Sequence, residues 1–120
     1  GVFRNYLIRV GSYVAPDWQD VKKLMNELIE FINKSKRNPV ELAARAHYRF
    51  EKIHPFGDGN GRIGRILMNQ ILWHAGYPML IIEHKKRKPY YKALQRNEEG
   101  FVSYFLRKYL KVHKKRYLIQ

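Results

Sequence analysis

His54-Pro55-Phe56-Gly57-Asp58-Gly59-Asn60-Gly61-Arg62-Ile63-Gly64-Arg65 holds four of the chain's eight glycines between Gly57 and Gly64. Such density in a stretch flanked by apolar periodicity is hard to attribute to packing. Glycines at a helix start let backbone N–H groups approach an anion, and the first helical turn adds unsatisfied donors and the positive end of the helix dipole. Gly59-Asn60-Gly61 therefore reads as a phosphate cradle. Arg62 and Arg65, three apart, project to neighbouring directions once helical, and their forked donors suit further phosphates. Asp58 offers one hard oxygen just before the cradle, which suits Mg²⁺ completed by water and substrate phosphates. His54, ending the preceding helix, has an imidazole able to take a proton from an attacking hydroxyl. Phe56 reads as a core anchor for this otherwise polar loop.

Working outward, the loop joins two helices. Asn38-Pro39-Val40-Glu41 combines a cap residue, proline at the first helical position and a carboxylate three residues after the cap. It predicts a helix over about 39–52 burying Leu42, Ala43, Ala46 and Phe50. After the loop, Ile63, Ile66, Leu67 and Ile71 form a stripe that ends at Ala75-Gly76-Tyr77-Pro78. Asp17 caps a further predicted helix with Val21, Leu24, Met25, Leu28, Ile29 and Ile32 facing the core. Residues 2–14 alternate partly around Gly11 and suit a hairpin or flap. Residues 79–82 are a short apolar stretch, Pro89 opens a helix through Tyr91, Ala93 and Leu94, and 101–112 give another with Phe101, Phe105, Tyr109 and Val112. The fold class is mostly α: a compact helical bundle with a short N-terminal β-hairpin flap.

At 120 residues the chain can bury one modest core. With no cysteine it has no disulfide framework, no cysteine-ligated metal and no thiol nucleophile. Ser12, Ser35 and Ser103 lie far from the loop in sequence, so direct transfer to a second substrate's hydroxyl is the simpler chemistry. His47, His74, His84 and His113 lack metal-ligand spacing and read as structural. No long apolar window suggests a membrane span. The net charge of +14 is concentrated late: 12 basic and 8 acidic residues up to position 83, then 12 basic against Glu98 and Glu99 alone. The run Lys85-Lys86-Arg87-Lys88 and the tail Lys111, Lys114, Lys115 and Arg116 could be a nucleic-acid footprint, although aromatics between charges at helical spacing more often mark an amphipathic helix.

With every position of H-P-F-x-D/E-G-N-G-R-x-x-R filled, residues 54–65 resemble the signature of the Fic domain family. The resemblance runs on through Gly1-x-Phe3-Arg4, His47, Ala75-Gly76-Tyr77-Pro78, Tyr90-Tyr91 and Glu99-Gly100, and is closest to the core of members whose inhibitory helix precedes the domain. It implies a single catalytic domain over 1–120, with a flap at about 1–14, cut from a longer chain. The activity it implies is transfer of AMP from Mg-ATP to a Ser, Thr or Tyr hydroxyl of a target protein. In that scheme His54 is the general base, Asp58 the Mg²⁺ ligand, and Gly59, Asn60 and Gly61 the anion hole. Arg62 and Arg65 bind phosphates and act in catalysis, with Ile63 and Gly64 in the same segment. Tyr90, Tyr91 and Glu98 would lie by the adenosine, Glu98 standing where the family usually has asparagine. Residues 4–13, with Ile8, Arg9, Val10 and Gly11 at the centre, would hold the target by strand addition.

The family's inhibitory S/T-x-x-x-E-G/N helix has no match, since Gln95 precedes Glu99 by four. The resemblance thus implies a brake elsewhere in a longer chain or on a separate protein. Removal of AMP from targets is the nearest alternative within the family, and it would depend on that missing glutamate. From another class, a non-catalytic binder of nucleic acid or acidic protein would use the charge and ignore the loop. Nucleic acid is the less favoured partner, a homodimer stays open, no membrane partner is expected, and the cytoplasm is the expected location.

Overall fold

The computed structural model describes residues 2–119, with side chains through Lys114; Gly1 and the Lys115-Arg116 part of the basic tail lie outside these limits. A two-residue hairpin, β1 (Arg9–Val10) and β2 (Tyr13–Val14), pairs Arg9 with Val14 and Val10 with Tyr13, antiparallel. Five helices follow: α1 (Val21–Lys34), α2 (Pro39–Ile53), α3 (Asn60–His74), α4 (Arg87–Leu94) and α5 (Glu98–Ile119).

The central helix is α2, which packs against α1, α3 and α5. Its start follows the local signals: the Asn38 side chain accepts from Val40 N at 2.9 Å and Pro39 occupies the first turn. One apolar cluster joins Val40, Ala43 and Ala44 of α2 to Met68 and Leu72 of α3, to Tyr90 and Ala93 of α4, and to Phe101, Phe105 and Tyr109 of α5. A second joins Val21 and Leu28 of α1 to Ala46, Phe50 and Ile53 of α2. Helix α1 is an outer layer, so only Val21 and Leu28 of its stripe are buried and Ile29 stays exposed, against expectation. Ile66 and Val112 likewise face outward on α3 and α5.

Three boundaries differ from the sequence reading. Asp17 accepts from Gln19 N, but what it caps is a 3₁₀ turn, Trp18–Asp20, and α1 begins only at Val21. Helix α4 starts two residues before Pro89, fed by a 3₁₀ turn at His84–Lys86, and Pro89 still falls where N–H groups are unsatisfied anyway. Helix α5 begins at Glu98, because two α2 side chains draw its acidic first turn inward. Arg45 pairs with Glu98 and Glu99 at 2.7 Å each, and Arg49 pairs with Glu98 at 2.8 Å. The 79–82 stretch forms no strand. The Asn69 side chain instead clasps Leu80, accepting from its N at 2.8 Å and donating to its O at 3.0 Å, so Leu80 and Ile82 are buried without a ladder.

The N-terminal segment is fastened by one side chain. Arg4, 4% exposed, donates to the carbonyls of His54 (2.7 Å), Tyr6 (2.9 Å), Pro16 (2.7 Å) and Ile53 (3.1 Å). These acceptors belong to the flap and to the C-terminal end of α2, where carbonyls lack helical partners. The hairpin is pinned to the same place by Tyr13, whose hydroxyl donates to Lys52 O at 2.7 Å while Lys52 Nζ lies 4.4 Å from its ring centre. Truncating Arg4 leaves several carbonyls unpaired at once. Arg4→Ala is expected to cost about 3 kcal/mol in urea unfolding, with Arg4→Lys recovering only part, since an ammonium lacks the planar fork. A loss below about 1 kcal/mol would mean that water replaces the clamp.

Candidate functional site

The reversal between α2 and α3 builds the site. His54 follows α2 with φ 51° and ψ 61°, a left-handed conformation that non-glycine residues adopt rarely, and its N–H still donates to Phe50 O at 3.0 Å. Gly59, φ 75°, then turns the chain into α3 and brings no side-chain acceptor to that end. The donors of the first α3 turn therefore remain open to an external anion. Asn60 is buried, with Oδ1 accepting from Phe56 N at 2.9 Å and Nδ2 donating to Phe56 O at 2.8 Å. Its amide is consumed in holding the loop, so what it offers a ligand is its backbone N–H. Phe56 is anchored as expected, 5.6 Å from Phe3 and 6.3 Å from Phe50 between ring centres.

A cleft of about 570 Å³ opens over this loop, and Val10, Gly11, His54, Asp58, Gly59, Asn60, Gly61 and Tyr91 all line it. Burial, with the nearby Arg4 charge, holds the His54 imidazole below its ordinary pKa, so it is a neutral base at pH 7. Asp58 is exposed at the cleft mouth. A hard cation there would take one oxygen from Asp58 and complete its shell with water and phosphate oxygens, as Mg²⁺ does. Among the described residues no group of three His, Asp or Glu side chains is arranged as a metal cage.

Other expected residues sit elsewhere. Arg62 and Arg65 line an adjoining cavity of about 680 Å³. The two meet at Gly61, where an added Cβ would come within 3.0 Å of Arg65 Nη1. Ile63 packs partly against the α1–α2 cluster, and Gly64 is buried against α2. Arg9 opens β1 and Ile8 precedes it, and neither lines the cleft. Tyr90 is wholly buried and its hydroxyl is paired with His47, so it presents no face to the cleft; of the two tyrosines only Tyr91 does. Glu98 is held by Arg45 and Arg49 at the foot of α5, away from the cleft lining. Burial alone would raise its carboxyl, but those hydrogen bonds outweigh it and hold the pKa low.

Nothing in the composition singles out Glu51, yet it lines the cleft with His54, three residues later and just past the end of α2. Its Oε1 is shielded from solvent and unbonded, and it fits only because residue 64 is glycine: a Cβ there would lie 2.5 Å away. Burial pushes the Glu51 carboxyl up to about 7 against the pull of Arg65 and Lys52. Burial also pushes the neighbouring His47, 3.9 Å away, down to about 4.

Against this geometry, residues 1–72 match the model of the family described as Fic/DOC family, and the chain belongs to that family. Among curated proteins it is similar to "Protein adenylyltransferase Fic" of Aedes aegypti, 44% identical over 110 residues, and to that of Culex quinquefasciatus, 42% identical over the same length. Each alignment covers 89% of this chain but 22% of the relative, so the chain spans about a fifth of their length. A Fic family protein from Desulfovibrio desulfuricans G20 superposes with a TM-score of 0.80 at 28% identity, covering 98% of this chain and 41% of that one. Fic-1 from C. elegans gives 0.77 at 26%, covering 96% and 38%.

The Glu51–His47 pair has a measurable signature. Unfolded, the two titrate near 4.5 and 6.5; folded, near 7 and 4. A raised carboxyl loses stability as pH rises from 4.5 through 7, whereas a lowered imidazole loses it as pH falls from 6.5 through 4, so between 4.5 and 6.5 the two slopes cancel. Removing the carboxylate unmasks the histidine. Glu51→Gln is expected to gain stability relative to the parent by about 1.4 kcal/mol per pH unit across that window, read from urea unfolding at several pH values. Parallel curves would show that Glu51 is ionised in the folded chain.

Proposed function

We propose that this chain is the catalytic region of a protein adenylyltransferase, moving AMP from ATP to a hydroxyl side chain of a target protein. The observation that carries the reading is the neutral His54 imidazole in one cleft with the uncapped first turn of α3. The names of the curated relatives support the same class of reaction.

In this scheme the N–H groups of Gly59, Asn60 and Gly61 bind oxygens of the α-phosphate and stabilise the charge that builds there. His54 takes the proton of the target hydroxyl, whose oxygen attacks the α-phosphorus. The bond from that phosphorus to the bridging oxygen of the β-phosphate breaks, and pyrophosphate leaves with the electron pair. Asp58 would hold Mg²⁺, which supplies charge neutralisation on the phosphates. Arg62 and Arg65 take the outer phosphates from the adjoining cavity, and Tyr91 borders the adenosine. The exposed β1 edge, Arg9–Val10, suits backbone pairing with an extended target segment beside His54. An inhibitory helix from elsewhere in a longer chain or from a separate protein would act by engaging Arg65.

Incubation with Mg²⁺ and α-labelled ATP is expected to label the chain itself or lysate proteins, as read by autoradiography and mass spectrometry. His54→Ala should cut transfer by at least about 10²-fold, the low end of what a general base contributes, while ATP affinity changes little. A His54→Ala variant that still transfers AMP at the parent rate would sink the assignment.

A further inference from the structure

Buried arginines elsewhere in the molecule are satisfied: Arg45 by Glu41, Glu98 and Glu99, Arg4 by four carbonyls. The cavity beside the α3 start departs from that pattern. Arg62, Arg65 and Arg87 all line it, with Ile66, Trp73 and Met79 on its apolar side and no carboxylate in its wall. Arg65 Nη1 and Arg87 Nε are both shielded from solvent without a hydrogen-bond partner. Among the described residues the ion pairs involve other cations, so none of these three guanidinium groups forms one, although Arg65 is near enough to act on the Glu51 carboxyl from outside the cavity wall. Guanidinium nitrogens hidden from water and left unpaired are costly, and an anion with several oxygens is what would satisfy three forks at once.

Arg87 comes from a different element than the other two. It opens α4, one helical turn before Tyr90, whose hydroxyl interacts with the Arg65 guanidinium while Arg65 Nη1 stays without a partner. Helix α4 thus backs Arg65 with one residue and adds a cation beside it with another. Because Arg65 lies against Gly61, which lines the His54 cleft, the cavity continues from the cradle. A phosphate chain whose first group lies over the cradle would extend past Gly61 toward the three arginines.

We propose that Arg87 is a third phosphate-binding arginine of this cavity, joining Arg62 and Arg65 on the two outer phosphates of the nucleotide and on the product pyrophosphate. The proposal rests on the adenylyl-transfer reading for its nucleotide, but the subsite can be tested without any transfer. Calorimetric titration at fixed salt of the parent, Arg87→Ala, Arg87→Gln and Arg87→Lys with ATP, AMP and inorganic pyrophosphate separates the contributions. Loss of Arg87 should weaken ATP and pyrophosphate about tenfold, as expected for one charge-assisted contact, and leave AMP within about twofold, with lysine recovering part. Equal losses for ATP and AMP, or pyrophosphate binding indifferent to Arg87, would overturn it. Should Arg87→Ala fail to fold, the Gln and Lys variants carry the same comparison. Arg87-dependent pyrophosphate binding without any AMP transfer would retain the subsite and discard the enzymatic reading. If an acidic protein segment is the true occupant, pyrophosphate will not bind measurably, and the proposal fails.

Discussion

The geometry depends on one sharp reversal at the end of α2, held in place from outside. A helix that stops leaves carbonyls without partners, and here Arg4, fifty residues earlier in the chain, supplies donors to the carbonyls of Ile53 and His54. That clamp stabilises the left-handed His54 conformation, which presents the imidazole to the cleft instead of continuing the helix. From the other side Asn60 grips the backbone of Phe56 through both ends of its amide. With the loop fixed twice, α3 can begin at a glycine with no capping side chain. The first turn of α3 keeps its donors open because the usual cap is missing where other contacts already hold the chain.

Charge is distributed by the same economy. Both acids after position 83 are drawn to the arginines of α2, where they set the start of α5. Among the described residues Lys85 pairs with Glu83, and Arg87, in the middle of the basic run, ends beside Arg62 and Arg65. Glu51 is the counterweight on the cleft side. Placed in space that a side chain at residue 64 would fill, it is buried enough to stay largely protonated below neutral pH, so it then adds little negative charge beside the open donors of α3.

Much of the helical framework was legible because its signals are local. The Asn38-Pro39 start, the α3 stripe and the glycine break follow from capping and periodicity alone. Where the reading missed, a distant partner had decided the matter. Ile29 and Ile66 belong to apolar stripes yet stay exposed, because their helices are covered on one flank only. Tyr90 and Glu98 were expected by the adenosine; His47 takes the one, and Arg45 and Arg49 take the other. Arg87 looked like one cation in a charged run, and periodicity could not tell it from Lys85 or Lys88.

By itself the sequence determined the helices, the loop between them and the chemical inventory of that loop: a base, a carboxylate, a run of backbone donors and two arginines. Helix starts and glycine turns depend on neighbouring residues, so they are written locally. Only the tertiary structure decided that the donors and the arginines line two adjoining cavities, that Glu51 enters the first and Arg87 the second, and that Arg4 holds the turn between them. Those placements depend on burial and on contacts between residues some thirteen to fifty positions apart, which no local pattern encodes.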